Sequence, residues 1–278
     1  MPIHDQGYRR YIGRRRAHGR TWWVIARREM LASVKSRRFL AILLVSWLPF
    51  VVRAIQLYLS ANIEQASFLA ATAQTFREFL DQQSIFVFLV TIAMAGAIAD
   101  DRRANALQVY LSKPLTRVEY VAGKLASVLV FVMAVTFAPA IILLLLQVMF
   151  AGSVAFVRDN VYLLPAITLF SIVQALLASF AILALSALSK SRRFVSIMYA
   201  GIIFFTAAMY QALRVITGSR AWAVLSPEDT LDVIADAMFR VRGQPAVPVP
   251  VALLTVLILI GVSLWILERR VRGVEVIA

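Results

Sequence analysis

Leu125 to Phe150 reads LASVLVFVMAVTFAPAIILLLLQVMF and contains no Asp, Glu, Lys, Arg or His. A bilayer's hydrocarbon core is crossed by a helix of about 20 mostly apolar residues, and this stretch is longer than that. Five more stretches qualify: Phe39 to Ser60, Ser84 to Ala99, Val161 to Ser189, Phe194 to Ile216, and Val249 to Leu267. The second of these six in chain order is short and gains length by borrowing Phe79 and Leu80. Composition agrees. The 278 residues are 61% hydrophobic and 16% charged, where a soluble domain is about 45–50% apolar and about 25% charged. The fold class is therefore an all-α membrane protein with six transmembrane helices.

Orientation follows from the basic residues, because cytoplasmic flanks retain Lys and Arg. There are 29 of them against 15 acids. With the N-terminus inside, most fall in the segment up to Arg38, around Arg102, Arg103, Lys113, Arg117 and Lys124, around Lys190, Arg192 and Arg193, and after Leu267. Only Arg77, Arg158, Arg220, Arg240 and Arg242 then lie outside. Arg53 and Arg214 fall inside spans near external ends, where long side chains snorkel. Both termini are thus read as cytoplasmic, in the inner (plasma) membrane of a bacterium. Ser36-Arg37-Arg38-Phe39-Leu40 has the look of a twin-arginine signal, but it lacks the spacer before Phe and its apolar run is too long for one.

Residues 1–20 read as a disordered basic tail, 21–38 as an interfacial elbow helix, and 39–278 as the six-helix transmembrane domain. The elbow, with Trp23, Met30 and Val34 on one side and Arg27, Arg28 and Lys35 around the rest, is expected to lie on the cytoplasmic leaflet. Outside, Leu69, Ala73, Phe76 and Leu80 at helical spacing predict a short surface helix. Ser226-Pro227-Glu228-Asp229 carries an N-cap serine and a first-position proline, and predicts another from Pro227 to about Arg240.

Several chemistries are excluded. Without cysteine there are no disulfides and no thiolate ligands. The two histidines, His4 and His18, sit in the polar tail, so no metal site, no cofactor and no catalytic residues are expected. No nucleophile elbow or zinc-protease motif occurs. Gly123-Lys124 is followed by Leu125 and so makes no P-loop, and this chain is not expected to bind ATP itself. The six apolar stretches lack Asp and Glu, which argues against an ion-coupled secondary transporter. A non-transporting anchor or scaffold is the other alternative. Against it stand Gln56, Gln147, Gln174, Tyr199, Thr206 and Tyr210, polar groups within spans that are candidates for lining a pathway. Pro49, Pro139 and Pro165 free backbone carbonyls where helices bend.

The loop between spans two and three has Asp101, then Leu107, Leu111, Ser112, Pro114, Thr116 and Arg117, and Gly123-Lys124 at the start of span three. This layout resembles the ABC-2 class of permeases. Asn105-Ala106 stands where Gly-Thr is usual, and Asp101 where Glu is commoner. The resemblance takes in the basic elbow with Glu29 and Ser226-Pro227 before the last span, and within the class it is similar to six-span permeases of nitrous oxide reductase maturation transporters. It implies an exporter's permease subunit, a cytoplasmic ABC ATPase and a second, identical permease subunit as partners, with membrane lipid around them and no nucleic acid. The segment Asp100 to Leu111 is the expected coupling helix. Asp100, Asp101, Arg102, Arg103, Leu107, Gln108 and Leu111 are its expected contacts with the ATPase, the leucines seating in a groove of the partner.

Overall fold

A computed structural model of the chain describes residues 21–63, 65, 68, 70–105, 116–151, 154–241 and 245–271. Six helices among them are long and apolar enough to cross a membrane. The tail 1–20 and Leu69, Leu107, Gln108 and Leu111 lie outside the described residues.

Helix α1 spans Thr21–Val34, and Lys35 and Ser36 turn the chain into span one, which is α2 (Arg37–Val45) followed by α3 (Leu48–Asn62). The interruption precedes Pro49, which has no N–H to give and whose ring crowds the carbonyl four residues back. The Ser46 carbonyl accepts instead from Nε2 of the buried Gln83, at 3.2 Å. Span two is α4 (Ala73–Ala93) and α5 (Gly96–Arg103), with a break at Met94 and Ala95. Span three is α6 (Arg117–Val135) and α7 (Phe137–Ala151), interrupted at Thr136 just before Pro139. After the short α8 (Ala155–Asp159) comes span four, α9 (Leu163–Leu188), unbroken. Pro165 is in its first turn, where a missing N–H has no intrahelical partner to lose, so it does not bend the helix as expected.

Span five is α10 (Arg192–Thr217), opened by the Ser191 side chain and closed by Gly218 in the left-handed region at φ 67°. A 3-10 turn, Arg220–Leu225, leads to α11 (Pro227–Met238), whose N-cap is Ser226 as expected. Span six is α12 (Val249–Arg270).

Two expectations need correction. The surface helix expected around Ala73, Phe76 and Leu80 is the first part of span two itself. A capping box between Thr72 and Thr75 starts it, and no Gly or Pro interrupts it before Ala93. Phe76, Phe79 and Leu80 are buried. The elbow, for its part, ends at Val34 where 21–38 was expected. Ile25 and Met30 meet the core, whereas Trp23 and Val34 are exposed.

The spans divide into an inner and an outer set. In spans two, three and four, 56%, 50% and 61% of the most apolar window is buried within the chain, but only 11%, 22% and 17% in spans one, five and six. The inner three form the core, in two hydrophobic clusters stacked along the bundle. One, around Ile98, Tyr120, Val132 and Leu183, fills the end where α1 and α5 lie. The other, around Phe79, Ile167, Ile234 and Phe239, fills the far end under α11.

Candidate functional site

Charged residues collect where α1, α5 and α6 meet. A capping box fixes the start of α6: the Thr116 hydroxyl accepts from the Glu119 N–H at 3.2 Å, and the Glu119 carboxylate accepts from the Thr116 N–H at 3.1 Å. Tyr120, Gly123 and Lys124 then share one face, being three and four residues apart. A Cβ on Gly123 would lie 2.7 Å from the Trp22 carbonyl oxygen and 2.8 Å from Ile25 Cβ, so only glycine lets α1 approach this closely. That approach carries Glu29 to Lys124.

The Lys124 ammonium is 2.8 Å from Glu29 Oε2 and 2.8 Å from Asp101 Oδ2, and its side chain is 4% exposed. Asp101 Oδ2 also accepts from the buried Tyr120 hydroxyl at 2.7 Å. Four side chains from three helices thus form one hydrogen-bonded knot in the low-dielectric interior. A charge this buried is tolerated only when paired and hydrogen-bonded.

The same α5 is fastened to span four. Ser186 Oγ accepts from the Ile98 and Ala99 N–H groups at 3.0 and 2.8 Å and donates to the Ala95 carbonyl at 2.8 Å. One buried hydroxyl therefore satisfies the backbone groups that the break in span two leaves open. Arg102 donates to the Ala187 carbonyl, and Arg192 to that of Ala93.

Of the residues expected to meet an ATPase, Asp101 and Arg102 point into these contacts, while Asp100 and Arg103 are exposed. The continuous helix expected from Asp100 to Leu111 is corrected at its start. Helix α5 ends at Arg103, and Asn105 takes a φ of 51°. This left-handed conformation stops a helix, and Asn is among the residues that adopt it most readily. Sequence reasoning missed Ser186 and the pairing of Lys124 with Glu29 and Asp101. A lysine set at the edge of a long apolar run, with an acid at the edge of the preceding one, was the available signal.

A family model described as an ABC-2 family transporter protein matches residues 23–270. The chain belongs to the ABC-2 transporter family. Compared with individually curated proteins, it has no match. This is accordingly a multi-pass membrane protein and the permease subunit of an ABC transporter, and membership implies association with an ABC ATPase subunit.

The ABC-2 permease also holds a cavity of about 240 Å³ between α4, α9, α10 and α12, bordered at the far end by the start of α11. Gln174 and Tyr199 line it; Gln56, Gln147, Thr206 and Tyr210 do not. Gln56 accepts from Arg53 at 2.9 Å, and Arg53, expected to snorkel, pairs with Glu78 at 3.1 Å. The Thr206 hydroxyl returns to the Ile202 carbonyl at 2.7 Å. Tyr210 is buried and Gln147 half-buried.

Helix α11 is held on span two by Arg77, which reaches Asp232 at 2.7 Å, Asp236 at 2.9 Å and Asp81 at 3.5 Å. Burial pushes the Asp232 carboxyl up to about 6, against the pull of Arg77.

Proposed function

We propose that this permease is an exporter subunit of the bacterial inner membrane, with both termini cytoplasmic, that forms its translocation pathway with a second copy of the chain. A separate ATPase drives it through the segment that begins at Asp100. The observation that carries this reading is the knot of Lys124, Glu29, Asp101 and Tyr120. It ties the helix leading into that segment to α1 and to span three, and Ser186 ties it to span four. A push at the segment would therefore move three elements together rather than bend one, as rigid-body coupling requires.

The basic balance of the end bearing α1 supports a cytoplasmic assignment for that end. Exposed Trp22, Trp23, Arg27 and Arg28 suit an α1 lying at the headgroup level of the cytoplasmic leaflet. The apolar, largely uncovered spans one, five and six offer surface for lipid and for the second copy. Export as the direction rests on the family resemblance of the loop and elbow.

The experiment uses the permease co-expressed with its ATPase. Leu107→Glu and Leu111→Glu should abolish assembly or substrate-stimulated ATP hydrolysis while membrane insertion survives, because a charge would be forced into an apolar seat. Arg9→Ala in the tail should leave both intact. Normal assembly and transport by the two glutamate variants would refute the docking assignment and move it to the loop of Lys190 to Arg193.

A further inference from the structure

Six residues of α9, from Gln174 to Leu185, line the cavity, so it extends about 16 Å along the bundle at about 1.5 Å per residue. Its walls are apolar for most of that length, including Val87, Leu177, Ala178, Ala181, Leu259 and Ile266. The ends differ. At the far end the lining includes Ser84, Gln174 and Glu228, whereas near Ile266 the lining Ser263 spends its hydroxyl on the Leu259 carbonyl at 2.8 Å.

Gln174 is 4% exposed; its Nε2 donates to Ser84 Oγ at 3.2 Å, and its Oε1 is buried without a hydrogen-bond partner among the described residues. A buried acceptor left empty is costly, and a turn of the Gln174 amide toward the cavity it lines would let a ligand's donor remove the cost. Glu228 sets the sign of the charge. It is the charged residue of the lining, which contains no Lys or Arg; burial, then neighbouring Asp229 and Asp81, push its carboxyl up, and a cation beside it favours the ionised form. At the N-terminus of α11, Pro227 has no N–H and the Asp229 N–H goes to Ser226 Oγ at 3.3 Å, so neither offers a donor to an anion.

We propose that this cavity binds a single-chain amphiphile with a primary ammonium head, the head between Glu228 and Gln174 and the tail along Ala178 and Ala181 toward Ile266. The ammonium supplies both the donor that Gln174 Oε1 lacks and the positive charge that Glu228 favours. A fatty carboxylate supplies neither, and a fatty alcohol only the first. This names a substrate class for the permease and rests on that reading for its role in transport.

The test is made on the full chain alone, in phosphatidylcholine nanodiscs, by titrating dodecylamine, dodecanol and dodecanoate and reading binding calorimetrically. Dodecylamine should bind saturably at one site per chain, dodecanol at least tenfold more weakly, and dodecanoate not at all. Ala181→Trp should eliminate the site by filling it. Glu228→Gln, nearly the same shape at an exposed position, should bring amine and alcohol to within about threefold of each other.

Equal uptake of all three compounds, or an amine preference unchanged in Glu228→Gln, would overturn the proposal. So would loss of amine binding when phosphatidylethanolamine replaces phosphatidylcholine, since a bilayer lipid would then be the occupant. Because no ATPase is present, failure here leaves the coupling assignment standing, and failure of coupling leaves this site standing.

Discussion

At the scale of single residues, Lys124 decides most. Its ammonium is enclosed by two carboxylates, and removing one partner of a buried pair strands the other's charge. Lys124→Met should cost about 3 to 5 kcal/mol, measured as a fall in thermal midpoint in nanodiscs; a shift within error would mean the knot is solvated. Ser186→Ala should cost about 1 to 3 kcal/mol, because two backbone N–H groups lose their acceptor, whereas Ser186→Thr, if it packs, should recover part of that. Gly123→Val tests the close approach of α1 separately. A side chain 2.7 Å from a backbone oxygen must displace α1, so a thiol label at Ile25→Cys, slow to react in the parent, should react faster. Unchanged labelling would show that α1 has room. These contacts were hard to read from the sequence. Lys124, Glu29 and Asp101 are far apart in the chain, and a lysine before an apolar run looks like any other basic flank. Only the glycine beside it, in contact with an element about a hundred residues earlier, gives the lysine its partner.

At the scale of elements, apolar run length made the spans legible, since nothing in a bilayer competes with a helix for the backbone. All six runs recur as helices, and the borrowed Phe79 and Leu80 belong to span two. What run length does not carry is where a helix starts when its first turns are polar, as with Thr72 to Asp81, or which face of an amphipathic helix packs. The hydrophobic side of α1 held Trp23, Met30 and Val34, of which Met30 meets the core; the packed side is set by Gly123 and Lys124 on the neighbour. Helix α11 was legible in its cap, not in its anchor. Asp232 and Asp236, one turn apart, both hold Arg77. Arg77→Met should therefore free α11 at its charged face and raise proteolysis between Ser219 and Arg240 severalfold, with the spans intact. Equal cleavage of parent and variant would show that the apolar face with Leu231 and Ile234 suffices alone.

At the scale of the whole molecule, two features organise the account: a basic end that gathers α1, α5 and the start of span three, and outer spans left largely uncovered. The topology is testable directly, because the chain has no cysteine. Arg103→Cys should resist membrane-impermeant thiol reagents in intact cells and react in inverted vesicles; labelling from outside would reverse the orientation. Under the ATPase, the basic end is expected to move as one body. Spin labels at Arg27, Arg103 and Val118, exposed positions on α1, α5 and α6, with a fourth at Val161 near the far end, measure this in the assembled transporter. Through ATP binding and hydrolysis the three distances among Arg27, Arg103 and Val118 should stay constant while their distances to Val161 of the partner permease change. A triangle that changes shape as the ATPase cycles would contradict the account.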